Sequence, residues 1–140
     1  MAADDRNKVT ILKLRRQKRQ GNKTVLVTAY DYPQARIADG AGVDAILVGD
    51  SVGMTTLGYK TTIPVTMDDM IRHSEAVAKG AKKAFLIGDM PYMSYQVSNE
   101  EAVANAGRFI QAGMDCVKVE GAMTERIQAI TESGIMVMSH

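Results

Sequence analysis

Residues 84–121 read AFLIGDMPYMSYQVSNEEAVANAGRFIQAGMDCVKVEG, and this stretch decides the fold. It opens on a short apolar run, Ala84–Asp89, without strict in–out alternation, the pattern of a strand covered on both faces. Ser98-Asn-Glu-Glu101 then has the form of a capping box. Val103, Ala106, Phe109 and Ile110 follow at helical spacing, and Gly113 is the stop. A second apolar run, Cys116–Glu120, completes the unit. Strand, helix and strand in this order predict parallel pairing through a right-handed crossover.

The same unit recurs on both sides. Further short apolar runs lie at Val25–Tyr30, Ala45–Asp50 and Ile135–His140. Between them, Pro33–Ala41 precedes Gly42. Thr66-Met-Asp-Asp69 caps a helix carrying Met70, Ile71 and Val77 and stopped by Gly80, and Glu125–Thr131 precedes Gly134. A leading helix with Val9, Leu12 and Leu14 on one side ends at Gly21. The chain therefore divides into an N-terminal helix, residues 1–22, and a strand-bearing part, residues 23–140. The latter has four βα units and a fifth strand, the α/β class. An open doubly wound sheet and a (βα)8 barrel both fit. Barrels usually take ~250 residues, so these units alone are too few to close one.

Composition narrows the function. Apolar residues make up 46% of the 140 and charged residues 24%, ordinary for a globular domain. No apolar run approaches the ~20 residues that span a bilayer. No apolar signal segment opens the chain, and Asp4 and Asp5 argue against a transit peptide, so a cytoplasmic protein is expected. The single cysteine, Cys116, excludes an internal disulfide and a Cys-based zinc site. It reads as a buried structural thiol. Eight of the 17 Lys and Arg lie between Arg6 and Lys23, but that stretch has no aromatic residue to stack on a base. It reads as a solvated helix face, so no nucleic-acid or membrane partner is expected.

Ligands of parallel α/β folds bind beyond the carboxyl ends of the strands. Three of those ends carry an acid: Asp50, Asp89 and Glu120. Converging carboxylates repel one another, and a divalent cation offsets the repulsion. Hard oxygen donors without cysteine favour Mg²⁺. The competing reading makes Asp50 and Asp89 caps of the elements that follow them. Lys118 lies two residues before Glu120, so both side chains share a face of the strand. Its ammonium either balances the acids and takes an anionic substrate, or forms a plain ion pair with Glu120 or Asp89. Gly53–Thr61 imitates a phosphate-binding loop, but Tyr59 separates Gly58 from Lys60 and no helix follows directly. A mobile loop over the site is expected there instead. His73 reads as an ordinary helix histidine, and the methionines as core filling.

Together the segments Val27-Thr-Ala-Tyr-Asp31, Leu47-Val-Gly-Asp-Ser-Val-Gly-Met54, Pro64-Val-Thr66, Gly88-Asp-Met-Pro-Tyr-Met93 and Val117-Lys-Val-Glu-Gly121 resemble the ketopantoate hydroxymethyltransferase family, in its order and at about its spacing. The resemblance implies part of a (βα)8 TIM barrel of the phosphoenolpyruvate/pyruvate type, found in homo-oligomers. It implies transfer of a hydroxymethyl group from 5,10-methylenetetrahydrofolate, the co-substrate, to 3-methyl-2-oxobutanoate. The product is 2-dehydropantoate, in pantothenate biosynthesis. Carried over by motif, Asp50, Asp89 and Glu120 are Mg²⁺ ligands, and Asp50, Ser51, Asp89 and Lys118 contact the 2-oxo acid. Tyr30 and His140 lie near the site by position. The family's general base is a glutamate expected beyond residue 140, so an N-terminal portion with little or no turnover is expected. A Mg²⁺-dependent 2-oxo acid lyase or aldolase and a non-catalytic half-barrel interaction module are the alternatives. Ser139 before His140 departs from the family's usual glycine.

Overall fold

A computed structural model describes residues 7–140. Asp4, Asp5 and Arg6, used above to read the N-terminus, lie outside the described residues. The elements follow in the order α1 (Ile11–Arg19), β1 (Leu26–Thr28), α2 (Tyr32–Ala41), β2 (Ala45–Val48), α3 (Val52–Thr55), α4 (Met67–Gly80), β3 (Phe85–Asp89), α5 (Asn99–Gln111), β4 (Cys116–Val119), α6 (Thr124–Glu132) and β5 (Val137–Ser139).

Of the two expected capping boxes, that of α4 forms in full and that of α5 keeps its Ser98 half. Thr66 and Asp69 form a full reciprocal capping box on α4. At α5 the Ser98 side chain accepts from the Glu101 N–H. Asp31 caps α2 in the same way, with Pro33 in its first turn. Gly42, Gly113 and Gly134 adopt positive φ where α2, α5 and α6 stop, the conformation that costs glycine least. The strands are shorter than the apolar runs, since β1 and β5 keep only three residues each.

All five strands are parallel, in the order β1-β2-β3-β4-β5. This order settles the architecture. A doubly wound sheet reverses its strand order and places helices on both faces. Here Ile46, Val48, Leu86, Val117 and Val119 pack in one cluster with Ala35, Val77, Phe109 and Ile130, so α2, α4, α5 and α6 all cover the same face. The opposite face carries Ala45, Phe85, Ile87 and Cys116, packed with Val9 and, from α1, Ile11 and Leu14. Sequential strands whose connecting helices all lie on one side are the wall of a (βα) barrel, and α1, which connects no two strands, covers part of the inner face.

The leading segment closes the amino ends of the strands. The Val9 N–H donates to the Lys83 carbonyl at 2.6 Å. Lys8 Nζ reaches the Ala84 carbonyl at 2.7 Å and Asp115 Oδ2 at 2.6 Å. Beside α1 an apolar groove of about 770 Å³ runs along the inner face from Leu26 on β1 to Met138 on β5. Among the described residues no helix is long and apolar enough to cross a membrane.

Gly88 shows why the middle strand tolerates no side chain at one point. A Cβ there would lie 2.3 Å from Phe109 Cδ1, and Phe109 is fully buried. Gly88→Ala is expected to lower stability by ~2–3 kcal/mol through overpacking. Chemical denaturation measures this, and a loss under about 0.5 kcal/mol would show that α5 yields freely.

Candidate functional site

The carboxyl end of the sheet gathers the polar residues. Asp89 ends β3 and is paired in register with Lys118 on β4. Parity puts Phe85, Ile87 and Asp89 on the inner face of β3, and Cys116 and Lys118 on the inner face of β4. Apolar residues therefore fill the lower layers, and the charged residues stand above them.

Lys118 is the centre of the arrangement. Its Nζ lies 3.0 Å from each Asp89 carboxylate oxygen and also donates to Glu120 Oε1. Asp89 is only 3% exposed and Lys118 7%, whereas Glu120 is exposed. The Asp50 N–H donates to Asp89 Oδ2 at 3.2 Å. Burial pushes the Asp89 carboxyl up to about 6, against the pull of Lys118. Burial alone would lower the Lys118 ammonium, but its bonds to Glu120 and Asp89 outweigh that and hold it above its usual value. The Lys118 bond holds the Glu120 carboxyl below its usual range. At neutral pH Lys118 and Glu120 are therefore charged, and Asp89 is the nearer of the two acids to taking up a proton.

The other residues expected here fall into place around this pair. Ser51 follows β2, with its Oγ 2.8 Å from the Tyr30 hydroxyl. Tyr30 itself is held by His73, whose Nδ1 lies 2.6 Å from the Tyr30 carbonyl oxygen, and by Gln34, which accepts from the Tyr30 N–H. His73 thus has a structural partner, as its helical setting suggests. His140 Nδ1 lies 3.3 Å from Glu120 Oε1. Gly49 leaves room for the group: a Cβ there would sit 2.9 Å from Ser51 Oγ and 3.8 Å from Asp89 Oδ2.

Two features were not legible in the sequence. The segment after Ser51 begins as a turn of helix, α3, rather than as a loose loop. Gly53 is packed so closely that a Cβ would meet Val65 Cγ2 at 2.4 Å. Four residues are too few to show helical periodicity. The second feature is Tyr95, whose hydroxyl donates to the Glu120 carbonyl and accepts from the Glu120 N–H, both at 3.3 Å. In the sequence Tyr95 stands between Ser94 and Gln96, outside any periodic segment. Its hydroxyl partner, 25 residues away, leaves no local signal.

The expected acids share the site, but not as a ready three-carboxylate cage. Among the described residues no three His, Cys, Asp or Glu side chains are grouped closely enough to hold a metal ion by themselves. The Lys118 ammonium stands between Asp89 and Glu120. The donor set nonetheless fits a divalent cation. Three carboxylates against one ammonium leave two negative charges at one end of the sheet, all on hard oxygen atoms. Mg²⁺ keeps several waters and needs only one or two protein carboxylates at a time. Cys116 does not belong to this set, because it lies a layer deeper and burial pushes its thiol up to about 12.

Sequential parallel strands with polar carboxyl ends define the wall of a (βα) barrel. A solved 2,3-dimethylmalate lyase, itself a member of the PEP mutase/isocitrate lyase superfamily, shares this fold with a TM-score of 0.67 at 19% identity, over 91% of this chain and 51% of that one. A phosphonopyruvate hydrolase, in complex with oxalate and Mg²⁺, gives 0.74 at 15% identity, over 90% and 50%. Within that class the ketopantoate hydroxymethyltransferase family model matches residues 8–140, and the chain belongs to this family. The 3-methyl-2-oxobutanoate hydroxymethyltransferase of Ignicoccus hospitalis is 52% identical over 135 residues, 95% of this chain and 51% of the relative. That of Thermotoga neapolitana is 53% identical over 134 residues, 94% and 49%. The chain thus spans about half the length of the curated relatives it matches.

Proposed function

We propose that these residues form the metal- and 2-oxo acid-binding part of a 3-methyl-2-oxobutanoate hydroxymethyltransferase. The reaction is transfer of the one-carbon unit of 5,10-methylenetetrahydrofolate to 3-methyl-2-oxobutanoate, giving 2-dehydropantoate. The observation that carries the reading is the Lys118 ammonium held between buried Asp89 and exposed Glu120 at the strand ends, in a chain of this family.

Asp50, Asp89 and Glu120 would hold Mg²⁺, which when bound supplies Lewis-acid polarisation of a carbonyl. Lys118 adds fixed positive charge where an oxyanion develops, in a setting with little water to screen it. The Ser51 hydroxyl, oriented by Tyr30, donates to the substrate carboxylate. The apolar layer below, Ile87 and Cys116, excludes water from beneath the site. The family resemblance implies that a glutamate other than Glu120 accepts the C3 proton. A cytoplasmic enzyme built from several copies completes the reading.

Calorimetry on the 140-residue chain tests this. 3-Methyl-2-oxobutanoate is expected to bind with Mg²⁺ and not with EDTA, and methylenetetrahydrofolate is expected to go unconsumed. Equal 2-oxo acid binding with and without Mg²⁺ would overturn the reading. Cleavage of a 2-oxo acid without folate would point to a C–C lyase instead.

A further inference from the structure

We infer that Tyr95 is a positioning residue, whose buried hydroxyl fixes the Glu120 peptide so that the Glu120 carboxylate stays within reach of Lys118 and of a divalent cation. This rests on the metal site proposed above.

The reason lies in how the sheet ends. In a parallel ladder, the N–H and C=O of one residue face the same neighbouring strand. The Met90 N–H donates to the Lys118 carbonyl at 3.0 Å, and β3 then leaves the sheet at Pro91. The next residue of β4 to face that side is Glu120, and the Tyr95 hydroxyl takes both of its backbone groups. One side chain stands in for the missing strand. Glu120 is thereby held in line with Lys118, although it lies beyond the last residue of β4.

The segment that presents Tyr95 is built for the purpose. Met93 has φ +66, a left-handed conformation that a non-glycine residue rarely adopts and that persists where the surroundings enforce it. The enforcing contacts are at hand. The buried Ser94 hydroxyl donates to the Pro91 carbonyl at 2.7 Å, and Asn105 of α5 donates to the Ser94 carbonyl at 2.8 Å. The reversal leaves Tyr92 and Met93 exposed and turns Tyr95 inward to 4% exposure. A ring needed for packing alone would require no such partner. Here the hydroxyl spends both its donor and an acceptor on the one peptide that carries a candidate metal ligand.

The test is Mg²⁺ affinity by calorimetry on the full chain, with 3-methyl-2-oxobutanoate present, for wild type, Tyr95→Phe, Glu120→Gln and the double variant. Tyr95→Phe is expected to weaken binding about tenfold, the lower range for an outer-shell partner of a metal site. The double variant is expected to bind no more weakly than Glu120→Gln alone, because Tyr95 acts through Glu120. Asn105→Ala, which loosens the segment without touching the ring, should weaken binding in the same direction and serves if Tyr95→Phe does not fold. Unchanged affinity in the folded variants, or a Tyr95 loss that adds fully to that of Glu120→Gln, would overturn the inference while the metal site stands. Wild-type chain that binds no Mg²⁺ would overturn both.

Discussion

Asp89→Asn is expected to weaken Mg²⁺ binding by at least ~100-fold and to abolish Mg²⁺-dependent retention of 3-methyl-2-oxobutanoate. Asp89 is the one buried member of the three acids. Its position is fixed from two sides, by Lys118 and by the Asp50 N–H. A carboxylate held that firmly loses no further freedom when it meets a cation, so most of its attraction appears as affinity. Asparagine keeps the shape and an oxygen for the Asp50 N–H but removes the charge. The effect should therefore exceed the 10–100-fold of an outer-shell change. Titration calorimetry reads the affinity, and unaltered thermal unfolding confirms the fold. Undiminished Mg²⁺ binding in this variant would remove Asp89 from the ligand set and favour a non-catalytic module.

Lys118→Met should act on stability as well as on binding. It leaves Asp89 buried without its counter-ion, and breaking a buried pair from one side costs about 3 kcal/mol or more. For a chain of this size that corresponds to a fall of roughly 10 °C in Tm without metal. Protonation limits the loss: burial already lifts Asp89 to about 6, and removing the ammonium lifts it further. Added Mg²⁺ supplies the missing positive charge, so it should raise the Tm of Lys118→Met by more than that of wild type. Binding of the 2-oxo acid should be lost in both conditions, because Lys118 contacts that ligand in the proposed site. Lys118→Arg is not expected to restore it, since a planar guanidinium is too broad for the place between Asp89 and Glu120. An Mg²⁺ response no larger than that of wild type would mean that cation and ammonium do not share one electrostatic role.

The strand ends were readable because strand periodicity is local. Two-residue spacing put Lys118 and Glu120 on one face, and parallel α/β topology put Asp50, Asp89 and Glu120 at one end. The relation between those charges was not readable. Sequence admitted either a metal-linked set of acids or an ion pair of Lys118 with one of them. The structure has Lys118 bound to both Asp89 and Glu120, because the β3–β4 register sets Asp89 directly beside it. Tyr95 was missed for the same kind of reason. Its role depends on where β3 leaves the sheet, and no pattern within PYMSY shows which peptide the hydroxyl meets.

The 84–121 stretch by itself determined a βαβ unit, and its recurrence determined an α/β chain with acids at the strand ends. Periodicity, caps and stops act over a few residues, so one chain suffices to read them. Periodicity left a doubly wound sheet and a barrel wall both open; the family motifs implied the barrel, and the tertiary structure bears it out through strand order and the shared face of α2, α4, α5 and α6. Only it decided that the site centres on a shared ammonium. Both depend on which strands become neighbours and in what register, a choice made by packing between residues far apart in the chain.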